Sequence, residues 1–300
     1  MPKLSKKESF TMYGGEVLVD FQPNPYHMYW VTDPKMNGGK KTRMKGVTTP
    51  IGIMDKSRGL VIWATRLAGI ELADTLEQKG VIVEEDIIRA ITLHEKFKKE
   101  AGDIGTEIHA WCEYFIRHKL GEEGFEKKPE LPDKEKNHAV FLGAQSFIEW
   151  VIENNVEFIH SEKIVYSRDH GYVGSVDIIA KVNGKLALCD LKSSNDLHNS
   201  VRMQMAAYAV AYEQEHNVKF DTRIAIRLAK ESEDAYYARK ERECYIGGKS
   251  VNFVKDYKPL DHKEFEGRES LEFDFQAFLA AKTLYQWNEE TDFYKAKNQD

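Results

Sequence analysis

The dipeptide Asn183-Gly184 constrains the folding of this chain more than any other feature of its 300 residues. Asn-Gly between two apolar runs is the strongest short signal for a β-hairpin with a two-residue turn. Counting outward from this turn places Asp177 on the first strand directly opposite Asp190 on the second. The sequence therefore predicts two carboxylates that face each other across a hairpin.

The opposed carboxylates need a compensating charge. Side chains alternate along a strand, so Lys192 projects from the same face as Asp190. Like charges opposed in a covered sheet raise the pKa of one group or require a cation. Carboxylate oxygens select hard ions, which predicts Mg²⁺ or Mn²⁺ at this position. The alternative is a bulge that shifts the register and leaves both aspartates at solvated strand ends.

The order of elements around the hairpin predicts an α/β fold. Apolar periodicity indicates helices at 105–120, 137–154 and 200–215, with strands at 157–167 and 222–228 around the hairpin. Apolar side chains on both faces of the hairpin predict a central mixed sheet covered by helices on each side.

We expect one compact unit with three parts. A strand and helix region at 1–100 precedes a core at 101–230, and a C-terminal helical extension at 231–300 follows it. The extension is predicted to end in a helix that carries Leu271 and Phe278 at helical spacing.

Composition excludes several classes of function. With 43 Lys and Arg against 49 Asp and Glu, the net charge is −6, so no global attraction to nucleic acid or membrane is expected. The chain has no membrane-length apolar run and no apolar signal region, which predicts a cytoplasmic protein without a membrane partner. Cys112, Cys189 and Cys244 are too few for a four-cysteine iron–sulfur cluster. The phosphate-binding loop of nucleotide-driven motors is absent, so no nucleotide cofactor is expected.

One helix of the predicted core carries a further candidate ligand. His109 shares a helix face with Gly105, Cys112 and Glu113, at offsets of three and four residues. A single histidine on a helix is more often a satisfied or solvated side chain.

Four short motifs follow one another in the chain. They are Gly105-Thr106-Glu107-Ile108-His109, Gly174-Ser175-Val176-Asp177, Asp190-Leu191-Lys192 and Gln204-Met205-Ala206-Ala207-Tyr208. In this order, over about 105–210, they resemble the PD-(D/E)XK nuclease superfamily. The similarity is to its RecB-like exonucleases, which include phage nucleases and the mitochondrial genome maintenance exonuclease.

The resemblance implies a restriction-endonuclease-like core and a DNA exonuclease that depends on one or two Mg²⁺ or Mn²⁺ ions. It assigns His109, Asp177 and Asp190 to the metal and Lys192 to the attacking water. It implies that Gln204 and Tyr208, on the next helix, support the site and contact DNA. Asp190 stands where other members carry Glu, and both occur in the family.

Glu162 matches an acidic residue that often precedes the metal aspartate by one strand in this family. The resemblance makes it a candidate catalytic residue. The alternative interpretation is an exposed strand glutamate without a role in the site.

The segments 46–56 and 60–64 are similar to a leader found in phage nucleases of this type. This implies a phage or prophage origin, a location in the bacterial host cytoplasm, and a single-strand-binding or recombination protein as a partner. The candidate DNA contacts are Lys40, Lys41, Arg43, Lys45 and Arg202. A solvated basic loop is the alternative for the first four.

Two other functions remain open at this point. A structure-specific or restriction-type endonuclease would use the same site. A DNA-binding homologue that does not cleave is the other alternative, although the acidic pair, the lysine and the histidine are all present.

Overall fold

The computed structural model describes residues 8–23, 27–54, 56–194, 197–247 and 256–291. The strands are β1 (Glu8–Met12), β2 (Val17–Gln22), β3 (Met28–Thr32), β4 (Thr42–Met44), β5 (Glu157–Ser167), β6 (Tyr172–Val182), β7 (Lys185–Lys192), β8 (Thr222–Leu228) and β9 (Leu260–Glu266). The α-helices are α1 (Thr48–Ile51), α2 (Ser57–Lys79), α3 (Glu84–Leu120), α4 (His138–Glu153), α5 (Ser200–His216), α6 (Glu233–Gly247) and α7 (Arg268–Thr291). None of the helices in these ranges has the length and apolar character needed to cross a bilayer.

The central sheet has the order β5-β6-β7-β8-β9, with β7 and β8 parallel and the other neighbours antiparallel. The hairpin prediction is confirmed. Asn183 and Gly184 have φ angles of +48° and +80°, as a turn with two left-handed residues requires. Ile178 pairs with Cys189, in the register that the turn predicts.

Two apolar layers cover this sheet. On one face, Ile179 and Leu188 belong to a buried cluster with residues of α5 and α7. On the other, Ile178 and Cys189 pack with residues of α3 and α4. Successive strand residues thus enter opposite cores, which confirms the α/β class with a mixed sheet between helices.

The C-terminal region contributes more to the sheet than the sequence predicts. We expected a helical extension after residue 230, but β9 forms the fifth strand of the sheet beside β8. Its residues are mostly exposed or half-buried, because β9 is an edge strand. An edge strand with charged residues lacks the apolar alternation that identifies a strand in the sequence.

Helix α3 is a single helix of 37 residues. The sequence analysis began a helix at Gly105 and placed a boundary between parts at residue 100, and both positions lie inside α3. No proline interrupts the helix, and an isolated glycine in a helical pattern is tolerated. The helix that carries His109 therefore continues directly from the N-terminal region.

The smaller sheet, of order β1-β2-β3-β4, packs against the ends of β5 and β6. An ion pair fixes the contact. Arg168 donates from Nε and Nη2 to the two oxygens of Asp33, over 2.9 and 3.1 Å. Tyr166 donates to the same carboxylate over 3.3 Å. Because the side chain of Asp33 is fully buried, this charge depends on Arg168 for compensation.

We predict that Asp33→Asn lowers the free energy of unfolding by about 2 to 4 kcal/mol, because it removes one partner of a buried pair. Glu16→Gln is the matched control, since Glu16 contacts the same arginine from a position that is 55% exposed. Urea unfolding measures both, and the control should change little. If both variants lose the same free energy of unfolding, the stabilisation by the ion pair does not depend on the burial of Asp33.

Candidate active site

The strands β6 and β7 separate at the predicted carboxylate pair. Backbone pairing ends at Ile178 and Cys189, one step before Asp177 and Asp190. Instead, Asp177 Oδ2 accepts a hydrogen bond of 2.7 Å from the backbone N–H of Leu191. This bond holds the carboxylate of Asp177 beside the strand that carries Asp190.

Asp190 is a buried carboxylate with one charged partner. The residue is 1% exposed, and its Oδ2 forms an ion pair with Lys192 Nζ. Neither oxygen accepts a hydrogen bond of normal geometry from any residue in the described part of the chain. Burial raises the pKa of Asp190 to about 6, with Asp177 adding to the rise and Lys192 opposing it.

Lys192 is oriented from two sides. Its Nζ contacts Asp190 and donates to Gln204 Oε1 on α5 over 3.4 Å. Gln204 in turn donates to the hydroxyl of Tyr208 over 3.1 Å. Burial alone would lower the pKa of Lys192, but attraction to Asp190 and Asp177 raises it. The structure thus brings together four residues that the sequence analysis selected.

The absence of a side chain at Gly174 lets α5 approach β6. A Cβ at this position would overlap the ring of Tyr208. At Gly105 on α3, a Cβ would overlap Oγ of Ser193. The close approach of α5 to β6 therefore requires glycine at position 174, whereas Ser193 could rotate away from a side chain at position 105.

His109 approaches the site from α3. Its Nδ1 lies 3.9 Å from Asp177 Oδ2. Burial lowers the pKa of His109, and the charge of Asp177 offsets part of that effect. A lowered pKa favours the neutral imidazole, which is the form that binds metals.

Glu162 belongs to the same site. It lies on β5 with a φ of +48°, which is uncommon for a residue with a side chain. Its Oε2 accepts a hydrogen bond of 2.8 Å from Ser175. Burial raises the pKa of Glu162 well above its ordinary value, with further contributions from Asp177 and Glu113. The alternative of an isolated exposed strand glutamate does not fit this environment.

Glu113 is a site residue that the sequence analysis did not select. It lies one turn after His109 on α3, and its charge contributes to the raised pKa of Glu162. Burial also raises the pKa of Glu113, while Arg117 Nη2 at 2.9 Å opposes that shift. The signal was present as the four-residue spacing from His109, which places both side chains on one helix face.

The donors present fit a hard divalent ion. The buried carboxylate of Asp190 has only the ammonium of Lys192 as a partner among the described residues, and a cation is the simplest further compensation. The carboxylate of Asp177 and the imidazole of His109 complete the set of oxygen and nitrogen donors. In the described ranges, no three such side chains converge closely enough to form a complete metal-binding group. Ligation would therefore draw these side chains together.

The basic candidates lie outside this cluster. Lys41 forms an ion pair with Asp20, and Arg202 is paired with Asp274 at 3.0 Å on α7. Lys45 lies 3.7 Å from Glu289 and over the ring of a tyrosine on α7. Three of the five predicted DNA contacts thus have an acidic partner within the chain. The other two, Lys40 and Arg43, are exposed near β4.

A cavity of about 270 Å³ opens beside the site. Lys192 and Gln204 line one side of it, and Thr48 and Lys56 line another. The first turn of α5, at Ser200, completes the wall. Residues of the segment that is similar to a phage-nuclease leader therefore border the space next to Lys192.

The chain was compared with known families, curated proteins and solved structures. No family model matches the sequence, and no curated protein matches it. Among solved structures, it is similar to the exonuclease LHK-Exo in complex with dAMP, at 11% identity and a TM-score of 0.33. The match covers 79% of this chain and 97% of that one. At this TM-score the two chain paths agree only loosely, so the assignment of the site rests on its own geometry.

We predict that the stability of Asp190→Asn relative to wild type depends on pH. The pKa of Asp190 is about 6 in the folded protein and 3.8 in its ordinary state, so ionisation of this group opposes folding. Stability from its protonated form is lost as the pH rises through 6. In chelator, when the pH is lowered from 7.5 to 5, the free energy of unfolding of wild type should rise by about 1 to 2 kcal/mol relative to that of the variant. Urea unfolding at both pH values measures the gap, and a gap independent of pH would contradict the burial of an ionised Asp190.

Proposed function

We propose that this protein is a metal-dependent DNA exonuclease that hydrolyses phosphodiester bonds. The observation that carries the proposal is the buried carboxylate of Asp190, for which the ammonium of Lys192 is the one partner among the described residues. Burial of an ionised acid destabilises the fold unless a cation binds to it. Buried charged groups of this kind concentrate at functional sites.

The proposed ligands of Mg²⁺ or Mn²⁺ are His109, Asp177 and Asp190. When bound, such an ion lowers the pKa of a water molecule and neutralises charge that develops on the scissile phosphate. One or two ions are compatible with this set, because Glu162 and Glu113 provide further carboxylates beside Asp177.

The protein groups supply position and charge. The N–H of Leu191 fixes the carboxylate of Asp177, and Asp190 and Gln204 hold the ammonium of Lys192 between them. In this position Lys192 donates hydrogen bonds to the attacking water and to a phosphate oxygen. Tyr208 restrains Gln204, so the hydrogen-bonded chain reduces the conformational freedom of the lysine.

The proposed substrate is DNA, and the proposed setting is a phage or prophage enzyme in a bacterial cytoplasm. Recombination, repair or degradation of DNA would be its role, with a single-strand-binding or recombination protein as a partner. The cavity next to Lys192 provides open space beside the proposed cleavage position. The resemblance of the sequence motifs to RecB-like exonucleases supports the same reaction class.

The direct test compares linear and covalently closed DNA, with Mg²⁺ or with chelator. We predict that wild type degrades linear DNA only when Mg²⁺ is present and leaves closed circles intact. Asp190→Asn should lose this activity by about 10³-fold or more, because the site loses a ligand charge. Asp103→Asn, an exposed carboxylate on the same helix as His109, is the control and should retain activity.

Each alternative function has its own outcome in this assay. Cleavage of closed circles would identify an endonuclease instead. Binding of DNA without cleavage under any metal condition would identify a homologue that does not cleave. An active Asp190→Asn variant would exclude the proposed metal site.

A separate prediction concerns Lys192. Lys192→Ala should lower kcat by about 10²-fold, since it removes an oriented electrostatic donor. Binding of Mn²⁺, measured by calorimetry, should persist because the ammonium is not a ligand. Loss of Mn²⁺ binding together with activity would indicate that the lysine maintains the structure of the site instead.

A further inference from the structure

The parallel strands β7 and β8 place a second cation beside the proposed catalytic lysine. Lys192 and Arg227 are partners in the register of these two strands. Paired residues of neighbouring parallel strands project from the same face, about 4.8 Å apart at the backbone. Arg227 therefore follows Lys192 on the face of the sheet that α5 covers.

Arg227 differs from the other arginines on this face. The guanidinium of Arg223 is buried and lies 2.9 Å from Asp274, and that of Arg202 is paired with the same carboxylate. In the parts of the chain that the structure describes, no acidic side chain lies within ion-pair distance of Arg227, although Asp261 on β9 is its register partner. Its Nη2 donates to the backbone oxygen of Lys258 over 2.6 Å, and its other nitrogens have no acceptor within these parts.

The single backbone contact positions Arg227 without neutralising it. One nitrogen of the fork is anchored, while Nε and Nη1 remain available for hydrogen bonds. Arg227 is also half-buried, so less side-chain entropy is lost when it binds a ligand than for a fully exposed arginine. A fixed and uncompensated guanidinium is suited to an oxyanion, above all to phosphate.

We propose that Arg227 binds the phosphate of DNA that neighbours the cleaved one. This inference rests on the proposed function, because it takes the cleavage position from Lys192. Crossing the sheet from β6 to β8, one meets Asp177, then Asp190 and Lys192, then Arg227. A DNA strand that lies across the sheet with its scissile phosphate at Lys192 therefore presents an adjacent phosphate to Arg227.

The overall charge increases the importance of such a residue. At a net charge of −6, a broad basic surface is not available to hold DNA. Lys41, Lys45 and Arg202 are already paired with acids of the chain. Arg227, together with the exposed Lys40 and Arg43, is then a local cation available for phosphate contacts.

The first measurement is the salt dependence of binding. Single-stranded oligodeoxythymidylate is titrated with wild type, Arg227→Gln and Lys181→Gln in Ca²⁺, which suppresses cleavage. Arg227→Gln should weaken binding about 3- to 30-fold at low salt and reduce the slope of log affinity against log salt by about 0.7. Lys181→Gln should match wild type. Lys181 is an exposed cation near the hairpin turn, at the other end of the sheet.

The second measurement locates the phosphate. Oligonucleotides with one uncharged methylphosphonate at each position in turn are bound by wild type and by Arg227→Gln. At the position that Arg227 contacts, wild type should lose affinity and the variant should lose little more, as in a double-mutant cycle. Arg227→Lys should retain the salt slope but bind more weakly, because it keeps the charge and loses the fork. The position found also shows on which side of the scissile phosphate the contact lies.

Thermal unfolding checks that Arg227→Gln and Arg227→Lys are folded. Unchanged affinity and slope in Arg227→Gln, or no coupling at any methylphosphonate position, would overturn the proposal. If wild type cleaves linear DNA and Asp190→Asn does not, that result would leave the proposed function standing. Failure of wild type to bind DNA would overturn both.

Discussion

A carboxylate buried at the end of a central strand is the constraint on which the site depends. Asp190 lies in a sheet covered by helices on both faces, so water cannot compensate its charge. Lys192 supplies part of the compensation through an ion pair. The raised pKa of Asp190 shows that this is insufficient, since burial and Asp177 outweigh the attraction of the lysine. Further positive charge is what this environment lacks.

The geometry around Asp190 could be predicted because it follows from strand periodicity. A two-residue turn fixes the register of β6 and β7, and alternation then places Asp190 and Lys192 on one face. At the end of the hairpin the structure differs from the predicted facing pair of carboxylates. Backbone pairing stops there, and Asp177 accepts a hydrogen bond from the backbone of Leu191. Side-chain capping of this kind depends on how the strands diverge, and the period of the sequence does not contain that information.

The contacts that the sequence analysis could not foresee are made at long range. Lys41, Lys45 and Arg202 looked like free cations, but their acidic partners lie 21, 244 and 72 positions away in the chain. Glu113 is close to Glu162 only because α3 packs against β5, which local periodicity does not reveal. A positive charge in a sequence is therefore weak evidence for DNA binding until its counterion is known.

The same criterion separates the roles of the cations around the site. Attraction to Asp190 and Asp177 raises the pKa of Lys192 despite its burial, so it remains protonated at neutral pH. A permanently charged ammonium can donate hydrogen bonds and stabilise negative charge, but it cannot accept a proton from the attacking water. In the proposed mechanism Lys192 therefore orients and stabilises, whereas the proton passes to a group with a free lone pair, such as a carboxylate of the cluster or solvent. Under our proposal, Arg227, which has no acid within ion-pair distance among the described residues, directs its charge at the substrate.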